Sequence, residues 1–300
     1  MIKPTLVVLA AGMGSRYGKL KQMDGFGPND ETIIDYSIYD AIRAGFGKVV
    51  FIIREYFKED FKAAMEPKFG DKIDLVYVTQ ELDNIPDGIE IHPEREKPWG
   101  TAHAVWVAKD EIDEPFAVIN ADDFYGSDSY KVLYDYLTND KTENYAVVAY
   151  YLKNTLSDHG TVNRGVCYSN ELKHLTKVVE CTKIQREEDG VVRFPDGEGG
   201  KHELSDDTLV SMNMWAFKPS YFKYINEQFS DFLRELGKEL KSEFYIPTAV
   251  DRLINAGVLN VDVLDTNSSW FGVTYQEDKP IVMQKLTALI EAGEYPDKLY

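Results

Sequence analysis

The chain has 300 residues, 44% of them hydrophobic, which is enough for a large core, and its formal net charge of −18 argues against nucleic acid or an anionic membrane surface as a partner. Its two cysteines, Cys167 and Cys181, are too few for a disulfide framework or a thiolate zinc site. No apolar run is long enough to span a membrane and no cleavable leader is apparent, so we expect a cytoplasmic protein.

The first half of the chain alternates apolar runs with amphipathic stretches. This pattern predicts an α/β fold with a mostly parallel sheet covered by helices on both faces. The predicted strands are Thr5–Leu9, Lys48–Ile53, Ile73–Val78 and Phe116–Ile119. The predicted helices are Thr32–Ala44, Tyr56–Met65 closed by Pro67, and Thr101–Lys109. Ligands bind such sheets outside the carboxyl ends of the strands, so residues that follow a strand are the first candidates for a site.

The second half is predicted to be richer in short strands. These are Tyr145–Tyr151, Gly165–Tyr168, Leu175–Val179, Val191–Phe194 and Met212–Phe217, with helices at Tyr221–Leu236 and Ile246–Asn255. The polar segment from Arg186 to Lys201 is predicted to be an exposed hairpin or loop. Without a low-complexity linker or internal repeat, we expect a single domain over 1–300, with a nucleotide-binding half at 1–143 and an acceptor-binding half at 144–300.

A glycine-rich, cationic loop follows the first predicted strand. It contains Gly12, Gly14, Arg16, Gly18, Lys19 and Lys21. Glycines let backbone N–H groups approach phosphate oxygens, and the Arg and Lys side chains add full charges. The sequence therefore predicts a phosphate-binding loop, with a simple tight turn bearing solvated cations as the alternative.

Two other phosphate-binding motifs fit this loop less well. In a dinucleotide-binding fingerprint the third glycine would come one residue earlier, and the segment Ile53–Glu55 lies well beyond the distance of about 20 residues expected for the ribose-binding acid. A kinase-type P-loop would require a Gly-Lys-Ser/Thr sequence, which is absent.

The run from Leu9 to Arg16, LAAGMGSR, followed by Lys21-Gln22, resembles the signature of the sugar-1-phosphate nucleotidyltransferases. This resemblance implies a Rossmann-like sheet of the nucleotidyltransferase type, with a β-rich, sugar-binding second half. Further segments resemble the family in the same order along nearly the whole chain. They are Gln80, Gly100-Thr101-Ala102-His103-Ala104, Asn120-Ala121-Asp122, Gly165-Val166, Glu180, Lys183, and Trp270 to Thr274.

The resemblance implies transfer of a nucleotidyl group from an NTP to a sugar 1-phosphate with Mg²⁺ as cofactor. The implied catalytic residues are Arg16 and Lys21, with Lys19 as the competitor of Lys21. The implied nucleotide-binding residues are Ala11, Gly12, Gly14, Gln80, Gly100 and Thr101; the sugar-binding residues are Gly165, Glu180 and Lys183; the metal ligands are Asp122 and Thr274. The GTAHA segment favours a pyrimidine base, uridine before thymidine or cytidine. A homo-oligomer is compatible with the sequence.

Several alternatives remain open at this point. Asp122 and Asp123 could instead cap a helix that begins near Ser127, and His103 is expected to be a packed helical residue rather than a ligand. The acceptor could be a non-sugar phosphate such as phosphocholine, or the chain could be a non-catalytic nucleotide-sugar sensor. Trp215, Tyr245 and Trp270 are expected to be core residues.

The sequence also departs from the family pattern. The residues between Gln80 and Gly100 form an insertion, which is expected either to form a lid or to displace Gln80 from the base. Gly272 stands where many thymidylyltransferases have a metal-binding Asp, which leaves Thr274 as the second ligand, with Asp265 or Asp278 as substitutes.

Overall fold

A computed structural model describes residues 2–12, 23–157, 160–272 and 278–300. The strands are β1 (Thr5–Leu9), β2 (Lys48–Ile53), β3 (Asp74–Thr79), β4 (Phe116–Asn120), β5 (Asp123–Phe124), β6 (Tyr145–Tyr151), β7 (Val162–Ser169), β8 (Leu175–Arg186), β9 (Val192–Pro195), β10 (Lys201–Leu204), β11 (Leu209–Phe217), β12 (Val261–Thr266) and β13 (Phe271–Gly272). The α-helices are α1 (Ile33–Ala44), α2 (Lys58–Phe69), α3 (Thr101–Trp106), α4 (Ser127–Asn139), α5 (Ser220–Leu236), α6 (Ile246–Asn255) and α7 (Lys279–Glu291).

The main sheet runs in the order β10-β9-β8-β7-β11-β4-β1-β2-β3, and β6 pairs with both β11 and β12. The first-half strands β1 to β4 pair in parallel, as the continuous apolar runs predict. Antiparallel pairing of β11 with β4 joins the second half to the same sheet, and β7 to β10 extend it as antiparallel ribbons. The α/β fold class and the hairpin between Arg186 and Lys201 are therefore confirmed.

Helices cover both faces of this sheet. On one face, α1, α2 and α4 bury side chains such as Ile38, Phe61 and Leu133 against the strands. On the other face, α3, α5 and α6 contribute the second cluster, in which Trp215 is fully buried. None of the helices in the described ranges is long and apolar enough to cross a membrane.

The prediction that Pro67 ends the second helix is wrong, because α2 continues to Phe69. The apolar positions of the helix recur every four residues, and Phe69 is buried one turn after Met65. Pro67 and Ala63 are both exposed, so water can satisfy the carbonyl that loses its helical partner. Burial of Phe69 on the inner face of the helix offsets the missing hydrogen bond on the outer face.

The C-terminal segment was not predicted from the sequence, and it packs against the first helix. The ring of Phe124 in β5 stacks on that of Phe271 in β13 at 4.3 Å, and Tyr295 packs edge-on against Tyr36 of α1. Strands of two residues are too short to produce a readable pattern. This cluster secures the turn that carries Asp122 and the strand that follows it.

Asp40 of α1 is buried under the C-terminal segment. The Tyr295 hydroxyl donates a hydrogen bond of 2.8 Å to its Oδ2, and Arg43 lies 2.8 Å from its Oδ1. Burial raises the pKa of Asp40 to about 7 despite these partners. Because an unfolded Asp titrates near pH ~4, the folded state binds more protons between about pH 4 and 7. Stability should therefore fall as the pH rises through this window.

We predict that Asp40→Asn removes this part of the pH dependence. The wild-type free energy of unfolding should fall relative to that of the variant between pH 5 and pH 8, by on the order of 1 kcal/mol or more. Urea unfolding across this range measures the difference. Asp71→Asn, at an exposed carboxyl two residues after α2 ends, is the control. A constant difference between wild type and Asp40→Asn at all pH values would contradict the prediction.

Candidate functional site

A cleft of about 350 Å³ opens at the carboxyl edge of the parallel strands. The residues that follow β1, β3 and β4 converge there, as the geometry of parallel sheets requires. The cleft is lined by Leu9, Ala11, Gly12, Gln80, Pro98, Gly100, Thr101, Ala104, Asn120, Asp122 and Glu243. Six residues singled out in the sequence therefore lie around one cavity: Ala11, Gly12, Gln80, Gly100, Thr101 and Asp122.

Four of the other candidate residues lie outside the described residues. They are Gly14, Arg16, Lys21 and Thr274. Lys19, the competitor of Lys21, is also outside the described ranges. The roles assigned to these residues remain predictions.

Gly100 forms a tight junction between the cleft and the segment that precedes α6. Its φ of 103° lies in a region that side chains disfavour, and a Cβ atom would come within 2.5 Å of the Phe244 carbonyl oxygen. The Phe244 N–H donates to the Trp99 carbonyl at 2.6 Å, and the Ala102 N–H donates to the Phe244 carbonyl at 3.0 Å. This contact places Glu243 in the cleft wall, which the sequence pattern did not indicate.

Gln80 enters the cleft from the end of β3, and its amide is buried. Its Nε2 lies 3.1 Å from the Gly100 carbonyl oxygen and 3.0 Å from His103 Nδ1. His103 is fully buried, and burial lowers its pKa to about 4. The expectation that His103 is a packed helical residue is confirmed.

The insertion between Gln80 and Gly100 leaves Gln80 in the cleft wall. No helix or strand is assigned from residue 80 to 100, yet the segment is anchored. Arg95 donates hydrogen bonds of 2.6 Å to the carbonyls of Glu239 and Ser242, and its guanidinium lies 3.5 Å from the ring centre of Trp99. The Trp99 Nε1 donates to the Leu82 carbonyl at 2.9 Å. Whether the segment acts as a lid remains a prediction.

Two adjacent carboxylates follow β4. Asp122 lines the cleft, while Asp123 accepts a hydrogen bond of 2.9 Å from Asn120 Nδ2 and one of 3.3 Å from the Tyr125 hydroxyl. Carboxylate oxygens together with substrate phosphates and water are the ligand set that Mg²⁺ usually takes. Within the described ranges, no group of three or more His, Cys, Asp or Glu side chains could form a complete cage. The residues present therefore fit a Mg²⁺ ion that is held by one or two carboxylates and the phosphates.

The structure gives a reason why residue 272 is glycine rather than aspartate. Gly272 pairs with Asp123 across the short β5–β13 ribbon, and a Cβ on it would lie 2.5 Å from Asp123 Oδ1. A side chain at position 272 would force the Asp123 carboxylate to move, although its Oδ2 is held by Asn120 and the Tyr125 hydroxyl. Asp265, one of the possible substitutes, instead accepts from the Tyr151 hydroxyl at 2.9 Å and pairs with Lys173 at 3.2 Å.

A chain of polar side chains links the cleft to β11. The Trp215 indole N–H donates to Asn213 Oδ1 at 2.8 Å, and Asn213 Nδ2 donates to Asn120 Oδ1 at 2.8 Å. An indole N–H can only donate, so Asn213 must turn its oxygen toward Trp215 and its NH₂ group toward Asn120. Asn120 in turn directs its NH₂ group toward Asp123. The φ of Asn213 is 61°, a left-handed conformation that asparagine tolerates better than most residues. Sequence reasoning missed Asn213, although the expectation that Trp215 is a core residue is confirmed.

Gly165, Glu180 and Lys183 do not line this cleft. Gly165 lies opposite Glu180 on β8 and opposite Ser211 on β11, two residues from Asn213. A Cβ on Gly165 would lie 2.7 Å from Val178 Cγ1, so glycine allows the close approach of β8. Lys183 is exposed and has a φ of 57°. The sugar-binding roles of Gly165, Glu180 and Lys183 remain predictions. The three residues lie on β7 and β8, in the part of the sheet beyond β11.

Arg164, which sequence reasoning also missed, is buried close enough to Asp123 and Glu180 to interact with both carboxylates. Its Nε donates to Thr155 Oγ1 at 3.1 Å, and its guanidinium lies 4.7 Å from the ring centre of Trp270. Burial lowers the pKa of Arg164 to about 10, against the opposing effects of Asp123 and Glu180. Burial also raises the pKa of Glu180, and Arg164 opposes this. This cation therefore connects the carboxylates of the cleft electrostatically with the β7–β8 ribbon.

The expectation that Tyr245 is a core residue is wrong, because its side chain is 43% exposed. It lies directly before α6, next to Phe244, which is buried against Gly100. When two aromatic residues such as Phe244 and Tyr245 precede a helix, the sequence alone does not show which of them faces the core. Trp270 is half-buried.

Comparison with known proteins places this geometry in a family. Among curated proteins, UTP–glucose-1-phosphate uridylyltransferase AglF of Haloferax volcanii is 23% identical to this chain over 286 residues. The match covers 93% of this chain and 95% of that protein. It is 27% identical over 137 residues to UTP–glucose-1-phosphate uridylyltransferase 2 of Staphylococcus saprophyticus. The latter match covers 41% of this chain and 46% of the length of that relative.

Solved structures share the fold. The inositol-1-phosphate CTP transferase from T. maritima superposes with a TM-score of 0.62 at 14% identity, covering 95% of this chain and 96% of that one. A UDP-glucose pyrophosphorylase complexed with UDP-glucose gives 0.59 at 17% identity, covering 96% and 99%. The family model described as nucleotidyl transferase matches residues 5–273, from the first strand to just beyond β13. The chain therefore belongs to the nucleotidyl transferase family.

Proposed function

We propose that the protein transfers a uridylyl group from UTP to a hexose 1-phosphate of the glucose 1-phosphate type, with Mg²⁺ as cofactor and pyrophosphate as the second product. The observation that carries this proposal is the convergence of Gly12, Gln80, Gly100 and Asp122 on one cleft at the carboxyl edge of the sheet. The names of the two curated relatives favour UTP as the donor and glucose 1-phosphate as the acceptor.

The proposed reaction requires positioning and charge neutralisation. An oxygen of the sugar phosphate attacks the α-phosphorus of UTP, a new P–O bond forms, and the bond to the β-phosphate breaks as pyrophosphate leaves. The attacking oxygen is already anionic at neutral pH, so no general base is needed. When bound, Mg²⁺ would neutralise charge on the phosphate oxygens. The chain must bring two polyanions together and stabilise the extra charge of the transition state.

The described residues suit these tasks. A Cβ on Gly12 would meet no described atom within 4 Å, so none of the described residues keeps a phosphate away from the backbone after β1. Gln80, Gly100 and Thr101 give the cleft an uncharged surface, in which Gln80 and Gly100 are buried, and such a surface suits a nucleobase. Asp122 lines the same cleft, two residues after Asn120, which accepts a hydrogen bond from Asn213.

Pyrophosphate release tests the proposal directly. The purified protein is assayed with UTP, dTTP, CTP, ATP and GTP, each paired with glucose 1-phosphate, other sugar 1-phosphates, phosphocholine and inositol 1-phosphate. We expect the highest kcat/KM with UTP and a hexose 1-phosphate. Turnover only with an alcohol phosphate would replace the sugar acceptor. No turnover with any pair, together with tight binding of a nucleotide sugar, would instead indicate a sensor.

We predict that Arg16→Ala and Lys21→Ala each lower kcat by roughly 10- to 1000-fold, comparable to the loss of an electrostatic donor to a transition state. Lys19→Ala, with the same change of charge two residues away, is the matched control and should reduce kcat much less. Steady-state kinetics at saturating substrate gives the comparison. Near-normal rates in both Arg16→Ala and Lys21→Ala would remove these residues from the mechanism, and a larger effect at Lys19 would exchange the two lysines.

A further inference from the structure

The amide of Gln80 belongs to a hydrogen-bonded chain that begins and ends at backbone carbonyl groups. At one end, Gln80 Nε2 lies 3.1 Å from the Gly100 carbonyl oxygen. In the middle, the same Nε2 lies 3.0 Å from His103 Nδ1. At the other end, His103 Nε2 lies 2.7 Å from the Asn84 carbonyl oxygen.

Carbonyl oxygens only accept hydrogen bonds, so the direction of this chain is determined at both ends. His103 Nε2 must carry a proton in order to donate to Asn84. The ring is neutral at physiological pH, since burial lowers its pKa to about 4, and Nδ1 is therefore an acceptor. Gln80 Nε2 must then donate one proton to His103 and the other to Gly100. Both donors of the Gln80 amide are used within the protein.

The amide oxygen of Gln80 is the polar atom that remains for a ligand. Among the described residues, no hydrogen-bond donor contacts Gln80 Oε1. The atom is not one of the fully buried side-chain atoms without a partner, so it is open to solvent. Gln80 lines the cleft together with Ala11 and Thr101. It therefore presents a hydrogen-bond acceptor to the cleft and no donor.

We propose that His103 is a positioning residue that locks the Gln80 amide with its oxygen toward the cleft, so that the protein selects nucleobases with an imide N–H, as in uracil and thymine, over cytosine. The inference deepens the proposed function and rests on it for the presence of a nucleobase in this cleft. Uracil presents N3–H to an acceptor at this position. Cytosine presents the N3 lone pair, which the Gln80 oxygen repels.

The surroundings of His103 explain how a single ring holds this orientation. The imidazole stacks on Phe229 at 4.9 Å and on Trp106 at 5.8 Å between ring centres, so it cannot turn to exchange its two nitrogens without disrupting the core. In a protein without this acceptor, only the Gly100 carbonyl would hold the Gln80 amide, which could then rotate more readily and offer either its oxygen or its NH₂ group to a base. Selectivity between uracil and cytosine would then fall.

The matched pair His103→Phe and His103→Asn tests the inference. Phenylalanine keeps the stacked ring and removes both nitrogens, whereas the Asn oxygen can stand in for Nδ1 as the acceptor. In the wild type we expect kcat/KM for UTP to exceed that for CTP by about 100-fold or more. His103→Phe should reduce this ratio at least tenfold, through KM rather than kcat, and His103→Asn should retain most of it.

Nitrogen-15 NMR of the histidine side chains supplies a readout that does not depend on turnover or on any variant being active. The chain has five histidines, and the signal lost in His103→Phe assigns this one. We expect a neutral ring protonated at Nε2 at pH 7.5. A ring protonated at Nδ1 or at both nitrogens would overturn the inference, as would an unchanged UTP-to-CTP ratio in folded His103→Phe.

Calorimetric binding of UTP and CTP without any sugar phosphate separates this inference from the proposed function. If UTP binds more tightly than CTP and His103→Phe abolishes the difference, the lock stands even when no sugar phosphate is turned over, and only the proposed reaction fails. If the protein transfers nucleotidyl groups to the sugar phosphate equally well from UTP and CTP, the proposed acceptor is supported. The inference that His103 orients Gln80 to select uracil is then wrong. Failure of both nucleotides to bind also overturns the lock.

Discussion

Asp122→Asn should lower kcat by about 100-fold or more and shift the Mg²⁺ dependence of the reaction to higher concentrations. The change keeps the size and shape of the side chain but replaces a carboxylate by a neutral amide, which binds a hard divalent cation weakly. A loss of this size is typical when one charge-stabilising group is removed from the site of phosphate chemistry. The measurement is kcat as a function of Mg²⁺ concentration, together with UTP binding in Mg²⁺ and in EDTA.

The control is Asp110→Asn, which makes the same change of charge at a side chain that is 83% exposed and lies outside the cleft. It should reproduce the wild-type magnesium titration. If Asp122→Asn also titrates like the wild type, Asp122 does not hold the metal. The capping alternative is wrong as well, because the N-cap of α4 is Gly126 and no side chain caps the helix. If Mg²⁺ tightens UTP binding to the wild type and not to Asp122→Asn, the ligand role is supported without reference to turnover.

The parallel half of the fold was readable because its signals are local. Strands buried on both faces appear as continuous apolar runs, and the predicted ranges of β1 and β2 match the observed ones. The strand-end rule predicts that Gly12 and Asp122 lie at one edge of the sheet, the family resemblance adds Gln80, and all three line the cleft. Local pattern and a topological rule together located the cleft.

The residues that the sequence did not reveal depend on contacts between distant segments. Asn213 meets Asn120 across 93 positions, because antiparallel pairing places Trp215 beside Val118. Nothing in the local pattern of β11 shows which residue faces the cleft. Glu243 enters the wall because the backbone of Phe244 approaches Gly100, a contact visible only once α3 and α6 are packed. These positions are set by register and packing rather than by propensity.

Residue 272 illustrates a third limit. The sequence reports only that a glycine stands where an aspartate was expected, which looks like the loss of a ligand. The structure gives the position a reason of its own, because Gly272 lies against Asp123 and the ring of Trp270. An absent side chain becomes interpretable only when its neighbours are known. The same holds for Gly100, whose requirement comes from the opposing backbone rather than from a turn signature.

Gly100→Ala should reduce both stability and nucleotide affinity. The new Cβ would lie 2.5 Å from the Phe244 carbonyl oxygen and 2.8 Å from its nitrogen, and backbone atoms cannot move aside as a side chain can. At a φ of 103°, alanine also pays a conformational penalty of about 1–3 kcal/mol. We expect the free energy of unfolding to fall by roughly 2–4 kcal/mol. KM for UTP should rise about tenfold or more, because the displaced carbonyl of residue 100 no longer accepts the hydrogen bond from Gln80 Nε2.

Gly88→Ala, in the insertion that precedes Gly100, separates the collision from the conformational penalty. Gly88 has a φ of 81°, but a Cβ on it would meet no described atom within 4 Å, so alanine there has the conformational penalty without the collision. Urea unfolding should place Gly88→Ala between the wild type and Gly100→Ala, with KM for UTP unchanged. Equal stability and equal KM in the two variants would mean that the Phe244 backbone yields to the added methyl group. The wall of the cleft would then owe its shape to the insertion rather than to the contact at Gly100.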